Sequence, residues 1–151
     1  MNYAKNTQVN QAASVAEIES TVSRFGAEAF GYGWAGNAGY VEFAVQSRRV
    51  RILVPMPERE AEEFTRTETG KVRAKSAATK AWEQAKRQRW RALALVVKAK
   101  LTAVEAGIRT FEEEFGMDFV LDDGRRVFEA LRENLLDGHQ PLQIMDGGLV
   151  S

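Results

Sequence analysis

Eight apolar residues between Trp90 and Phe115 constrain this chain more than any other feature. Trp90, Leu93, Val97, Leu101, Val104, Ile108, Phe111 and Phe115 recur at spacings of three, four, four, three, four, three and four. That recurrence matches the 3.6-residue turn of an α-helix and keeps one stripe apolar. The pattern predicts a long amphipathic helix starting near Ser76, with Gly107 able to kink or end it. The segment ALALVV at 92–97 is apolar all round. Its middle is therefore expected to need cover on several sides, which predicts self-association into a homo-oligomer.

Upstream the period changes from 3.6 to two. Phe30, Tyr32 and Trp34 alternate with small residues, and Val41, Phe43 and Val45 follow the AGNAG turn at 35–39. After a short turn at 46–48 come Val50, Ile52 and Val54, and Pro55 and Pro57 stop the pattern. This reads as a three-stranded antiparallel meander with one apolar face. Phe30, Tyr32 and Trp34 are read as core, with base stacking as the other use of such a row. Before the meander, Ser14 and Glu17 form a capping-box pattern ahead of Val15, Ile18, Val22 and Phe25, and Gly26 suits a helix end.

Residues 57–75 lack periodicity and read as a long loop. Phe119–Leu121 reads as a short strand, Asp122-Asp123-Gly124 as a turn, and 127–136 as a helix closed by Gly138. The expected fold is α+β: an N-terminal helix, the meander, the long helix, a short strand and a C-terminal helix. Residues 1–13 are expected to be a flexible arm, 14–138 a single domain and 139–151 a flexible tail.

The 151 residues include no cysteine and one histidine, His139. Disulfides and Cys-based metal sites are excluded, and His139, next to Gly138 and near Pro141, reads as a surface residue. TETGK at 67–71 lacks the earlier glycine of a P-loop and has Val72 where Ser or Thr belongs. GYGWAG at 31–36 lies in a hairpin, away from any strand-to-helix turn. The acids of FEEEF with Asp118, Asp122 and Asp123 form a solvated helix end and a turn more readily than a Mg²⁺ site. No catalytic residue, metal site or cofactor is assigned, and a non-enzymatic role is expected. The polar start lacks a signal-peptide core and no apolar run spans a bilayer, so no membrane partner and a cytoplasmic location are expected.

The formal net charge is zero but strongly segregated: +9 over residues 71–100 and −7 over 111–151. At 100° per residue, Lys80, Arg87, Arg91 and Lys98 share one helix face beside the apolar stripe, and Arg89 and Lys100 flank its other side. Lys71, Arg73 and Lys75 precede the helix, and Arg48, Arg49 and Arg51 lie on the third strand. Such a stripe is the pattern expected for phosphate contacts. Trp82, near the helix start, is the stacking candidate. The bland alternatives are a solvated face or pairing with Glu112, Glu113, Glu114, Asp118, Asp122 and Asp123 of the same chain. An acidic protein surface is the other partner considered.

The segments FGAEAFGYGW, RRVRILVPMP, RQRWRALALVVKAKLTAVEAGIRTFEEEF and VLDDGRRV together resemble a family of small bacteriophage and prophage proteins, over roughly residues 14–136. The resemblance brings no catalytic residues with it. It implies a phage origin, the cytoplasm of a bacterial host and an accessory context. Within that context the expected function is nucleic-acid binding, single-stranded DNA preferred, in recombination or replication. The alternative is inhibition of a host or antiviral-defence component through a protein interface.

Overall fold

A computed structural model describes the backbone of residues 2–137, 144–145 and 148–149, and the side chains of residues 11–135. The chain is α+β. Helix α1 (Asn2–Phe25) leads into β1 (Ala29–Ala35), β2 (Ala38–Val45) and β3 (Arg48–Pro55). Then follow a short α2 (Glu62–Thr65), the 31-residue α3 (Lys75–Glu105), α4 (Phe111–Phe115) and α5 (Val127–Asp137). Ile144–Met145 and Gly148–Leu149 pair as a two-stranded ladder, β4 and β5. His139 lies outside the described residues.

The meander forms as its period-two pattern requires. The sheet order is β1-β2-β3, both pairs antiparallel, with Phe30 opposite Phe43 and Phe43 opposite Val50. β2 alternates strictly between half-buried and buried residues, so its odd-numbered side chains face the core. The turn between β2 and β3 is Gln46-Ser47, both with positive φ (50° and 65°), which matches the right-handed strand twist of a type I′ hairpin.

Helices α1 and α3 pack side by side on the apolar face. Glu17 meets Arg91, and further along Thr21 and Arg24 share a groove with Lys98, Leu101, Thr102 and Glu105, so the two helices run in the same direction. Val15, Ile18 and Val22 of α1 and Trp90, Leu93, Val97 and Leu101 of α3 join Val41, Phe43, Val50 and Val54 in one core. Phe115 closes the far end, edge-on to Phe43 with ring centroids 5.7 Å apart.

Several boundaries differ from the sequence reading, each for a physical reason. Residues 2–13, expected as an arm, continue α1, so Ser14 is a buried residue within the helix and caps nothing. The long helix ends at Glu105 because Gly107 adopts φ 75°, a left-handed conformation that reverses the chain. Ile108 thereby leaves the stripe and is 76% exposed. The helix restarts as α4 behind a capping box. Thr110 Oγ1 accepts from the Glu113 N–H (3.1 Å) and Glu113 Oε1 accepts from the Thr110 N–H (2.9 Å). Within 57–75, α2 buries Phe64 and Arg66 bridges Val72, so this segment is partly built. Phe119 and Val120 form single bridges, to Val50 and Arg126, in place of a strand. Within ALALVV, Leu93, Ala94 and Val97 are buried in the core, while Leu95 and Val96 face outward.

One glycine in the sheet is required by packing. A Cβ on Gly39 would lie 2.6 Å from Trp90 Cζ2 and 3.3 Å from Trp34 Cζ3. Gly39→Ala is therefore expected to destabilise by about 1–3 kcal/mol through overpacking. Gly31→Ala, with no atom within 4 Å, should be close to neutral. Paired urea denaturation curves check this, and equal midpoints for the two variants would contradict it.

Candidate nucleic-acid interface

The cationic row of α3 arises from the same 3.6-residue turn that builds its apolar stripe. Lys80, Arg87, Arg91 and Lys98 lie at spacings of seven, four and seven. They form a line about 27 Å long at 1.5 Å per residue. Lys80, Arg91 and Lys98 are exposed and Arg87 is half-buried. Arg91 Nη1 donates to Glu17 Oε2 of α1 at 2.7 Å. Among the described residues, no carboxylate lies within 4 Å of the Lys80 or Lys98 ammonium groups.

The two charged blocks meet at a single point among the described residues, where Lys100 Nζ lies 3.2 Å from Glu114 Oε2. The other ion pairs described for acids of the 111–151 block are made with cations from outside the basic block. Arg109 holds Glu113 and Glu114, Arg125 holds Asp123, Arg126 holds Asp118 and Glu129, and Arg48 pairs with Glu112. Within the basic block, Lys86 pairs with Glu83. Among the described residues, the carboxylates from outside the basic block that meet it are Glu17, at Arg91, and Glu114, at Lys100.

Three cations offered by the sequence lie elsewhere. Arg49 and Arg51 both pair with Glu42, and Arg51 also donates to the Gly124 carbonyl at 3.0 Å. They sit on the sheet face turned away from the helices, so the sheet stands between them and α3. Arg48 packs its guanidinium over the Phe111 ring (5.0 Å) and the Phe119 ring (5.7 Å). Arg48 and Arg51 thus tie β3 to α4 and the segment that follows it, while Arg49 ties β3 to β2.

Trp82 is likewise committed. Its Nε1–H donates to the Pro57 carbonyl at 2.8 Å, and Lys86 Nζ and Arg59 Cζ lie 3.7 and 5.5 Å from the ring centroid. With Arg89 donating to the Pro55 carbonyl and Arg59 to Thr79 Oγ1, the indole pins the chain after β3 along the first half of α3. Sequence position could not separate an exposed indole from one used as a tether. The exposed aromatics of the sheet are Tyr32 (53%) and Trp34 (52%), both expected in the core from the strand alternation. They lie on β1, whose outer edge has no partner strand in the three-stranded sheet. Alternation marks the face of a strand, and it carries no mark of an edge.

Next to α2, a cavity of about 520 Å³ is lined by Arg59, Arg73 and Lys75 together with Glu60. It extends the cationic surface beyond the start of α3. Among the described residues, no group of three or more His, Cys, Asp or Glu comes together to hold a metal, and no helix is long and apolar enough to cross a membrane.

The acidic side of the molecule has opposed titrations. Hydrogen bonds from Lys100 and Arg109 hold Glu114 below its ordinary value, and those from Thr110 do the same for Glu113. Asp118 is pushed up because its burial outweighs the charge of Arg126. A lowered carboxylate contributes stability that is lost as pH falls through its folded value. A raised one contributes in the opposite sense, losing stability as pH rises. Stability is thus expected to fall as pH drops below the ordinary glutamate value of 4.5. Asp118→Asn, which removes the opposing group, should make that fall steeper. Urea midpoints between pH 3 and 6 test this, and a shallower acid loss in the variant would count against it.

No protein-family model, no curated protein and no solved structure matches this chain.

Proposed function

We propose that this is a non-enzymatic phage accessory protein that binds nucleic acid through the outer face of α3, with single-stranded DNA preferred. Lys80, Arg87, Arg91 and Lys98 contact phosphates spaced along one strand. The observation that carries this reading is that Lys80, Arg91 and Lys98 stay exposed along about 27 Å of helix, while the acidic block meets the basic one at Lys100–Glu114 alone among the described residues. A straight row of cations gives backbone contacts and no base readout. A single strand can bend its phosphates onto such a line, whereas those of a duplex wind away from it. That difference supports the strand preference. With Trp82 committed to Pro57, stacking on that ring is not part of the proposal.

Four phosphate contacts give a log–log salt slope of about −2.8 for single strands, or about fiftyfold weaker binding between 50 and 200 mM salt. Fluorescence anisotropy with labelled single- and double-stranded oligonucleotides tests this, and an absence of binding at low salt discards the proposal.

A second reading, inhibition of a host or antiviral-defence component, is supported by apolar side chains at the surface. Leu95 and Val96 lie on α3, and Phe128, Leu131 and Leu135 lie on α5. A protein recovered from host lysate after nuclease treatment, and lost on Leu95→Asp, would favour this alternative.

A further inference from the structure

The free edge of the sheet is unlike the rest of the surface. β1 pairs with β2 over all seven of its residues, Ala29 to Ala35, without a bulge, and among the described residues its other side meets no strand. The edge carries no charge and no proline, the devices by which exposed edges ordinarily avoid pairing. Beside it stand Tyr32 and Trp34, each about half exposed. The opposite edge is closed. Phe119 bridges Val50, the Val120 N–H donates to the Arg49 carbonyl, and Arg48, Arg49 and Arg51 line that strand.

We propose that β1 is a homodimer interface in which two copies pair antiparallel about a two-fold axis at Tyr32, joining the two meanders into one six-stranded sheet. The residue order of β1, Ala-Phe-Gly-Tyr-Gly-Trp-Ala, reads nearly the same in both directions. A two-fold axis at Tyr32 therefore sets like against like. Ala29 faces Ala35 of the second copy, Phe30 faces Trp34, Gly31 faces Gly33 and Tyr32 faces itself. Aromatics meet as cross-strand pairs on the helix-side face, and glycines meet on the other.

Charge selects this edge over the other. Across a two-fold axis a strand meets its own copy, so the three arginines on β3 would be brought against like charges, whereas β1 carries no charge. Size sets the strength. An aromatic side chain carries about 150–250 Å², so roughly 100 Å² of each of Tyr32 and Trp34 remains to be covered. That is about 400 Å² over two copies, to which two strand edges about 24 Å long are added. The total falls at the small end of specific interfaces, below about 1,200 Å². The dimer is therefore reversible and depends on concentration.

Because the chain has no cysteine, one introduced thiol reports the axis directly. Residues facing each other across antiparallel strands have Cβ atoms about 4.5–5.5 Å apart, within a small shift of disulfide geometry. Tyr32→Cys is expected to give a covalent dimer on mild oxidation. Leu95→Cys, of equal exposure but on α3, should remain monomeric. Sedimentation equilibrium of the unmodified chain should show a monomer–dimer equilibrium. Tyr32→Lys and Tyr32→Glu should each abolish it, and their equimolar mixture should restore it. A wild-type chain that stays monomeric throughout, or equal cross-linking of the two cysteine variants, overturns the proposal. Neither readout involves nucleic acid, so the outcome is independent of the reading of α3.

Discussion

Trp90→Ala is expected to be the most damaging single substitution in this protein, costing about 3–5 kcal/mol. Trp90 is fully buried where α3 crosses the sheet. Its ring meets Trp34 edge-on at 5.8 Å, and the room for it is made by Gly39. Truncation removes the largest side chain of the core and leaves a cavity whose walls, two helices and a sheet, cannot collapse together. Against a typical total stability of about 5–15 kcal/mol, that is a large share. Trp90→Phe should cost less than half as much. It keeps a ring in place, and it deletes an indole N–H that, despite complete burial, has no hydrogen-bond partner among the described residues. Denaturant midpoints followed by circular dichroism test the pair. Similar losses for alanine and phenylalanine would mean that the unpaired N–H is not a cost.

Joint reversal of Lys80→Glu and Lys98→Glu is expected to have the largest effect on binding. These two residues suit the test better than Arg91, because Arg91→Glu would set a carboxylate against Glu17 and disturb the α1–α3 contact. Lys80 and Lys98 hold no described carboxylate, so their reversal leaves the packing intact. Loss of two of four phosphate contacts should reduce the salt slope from about −2.8 to about −1.4. Affinity at 50 mM salt should fall by at least tenfold, since two repulsive carboxylates are added as well. An unchanged slope in a folded double variant would remove α3 from the interface.

The architecture was readable because it rests on local periodicities. Alternation in Val41, Phe43 and Val45 and the three-four spacing from Trp90 to Leu101 each name one buried face. A pattern continued through Ile108, but the left-handed turn at Gly107 broke the helix there, and spacing alone does not weigh a backbone reversal against an apolar stripe. The start of α1 was misplaced for a related reason: Ser14 and Glu17 have the spacing of a cap, yet Ser14 is buried in the middle of a helix that begins at Asn2.

The candidate site was legible only in outline. The row Lys80, Arg87, Arg91 and Lys98 follows from residue spacing on one helix, so the chain alone determined that these four share a face. Which cations are spent within the fold depended on contacts between residues far apart in sequence. Arg48 is taken by Glu112, Arg51 by Glu42 and Gly124, and Trp82 by Pro57. The order of strands in space likewise left Tyr32 and Trp34 at an open edge while Phe43, with the same alternation, was sealed in the core. Periodicity is a property of neighbouring residues and fixes which side of an element is apolar. Whether that side is covered, and which charges find partners, is decided when elements distant along the chain are brought together.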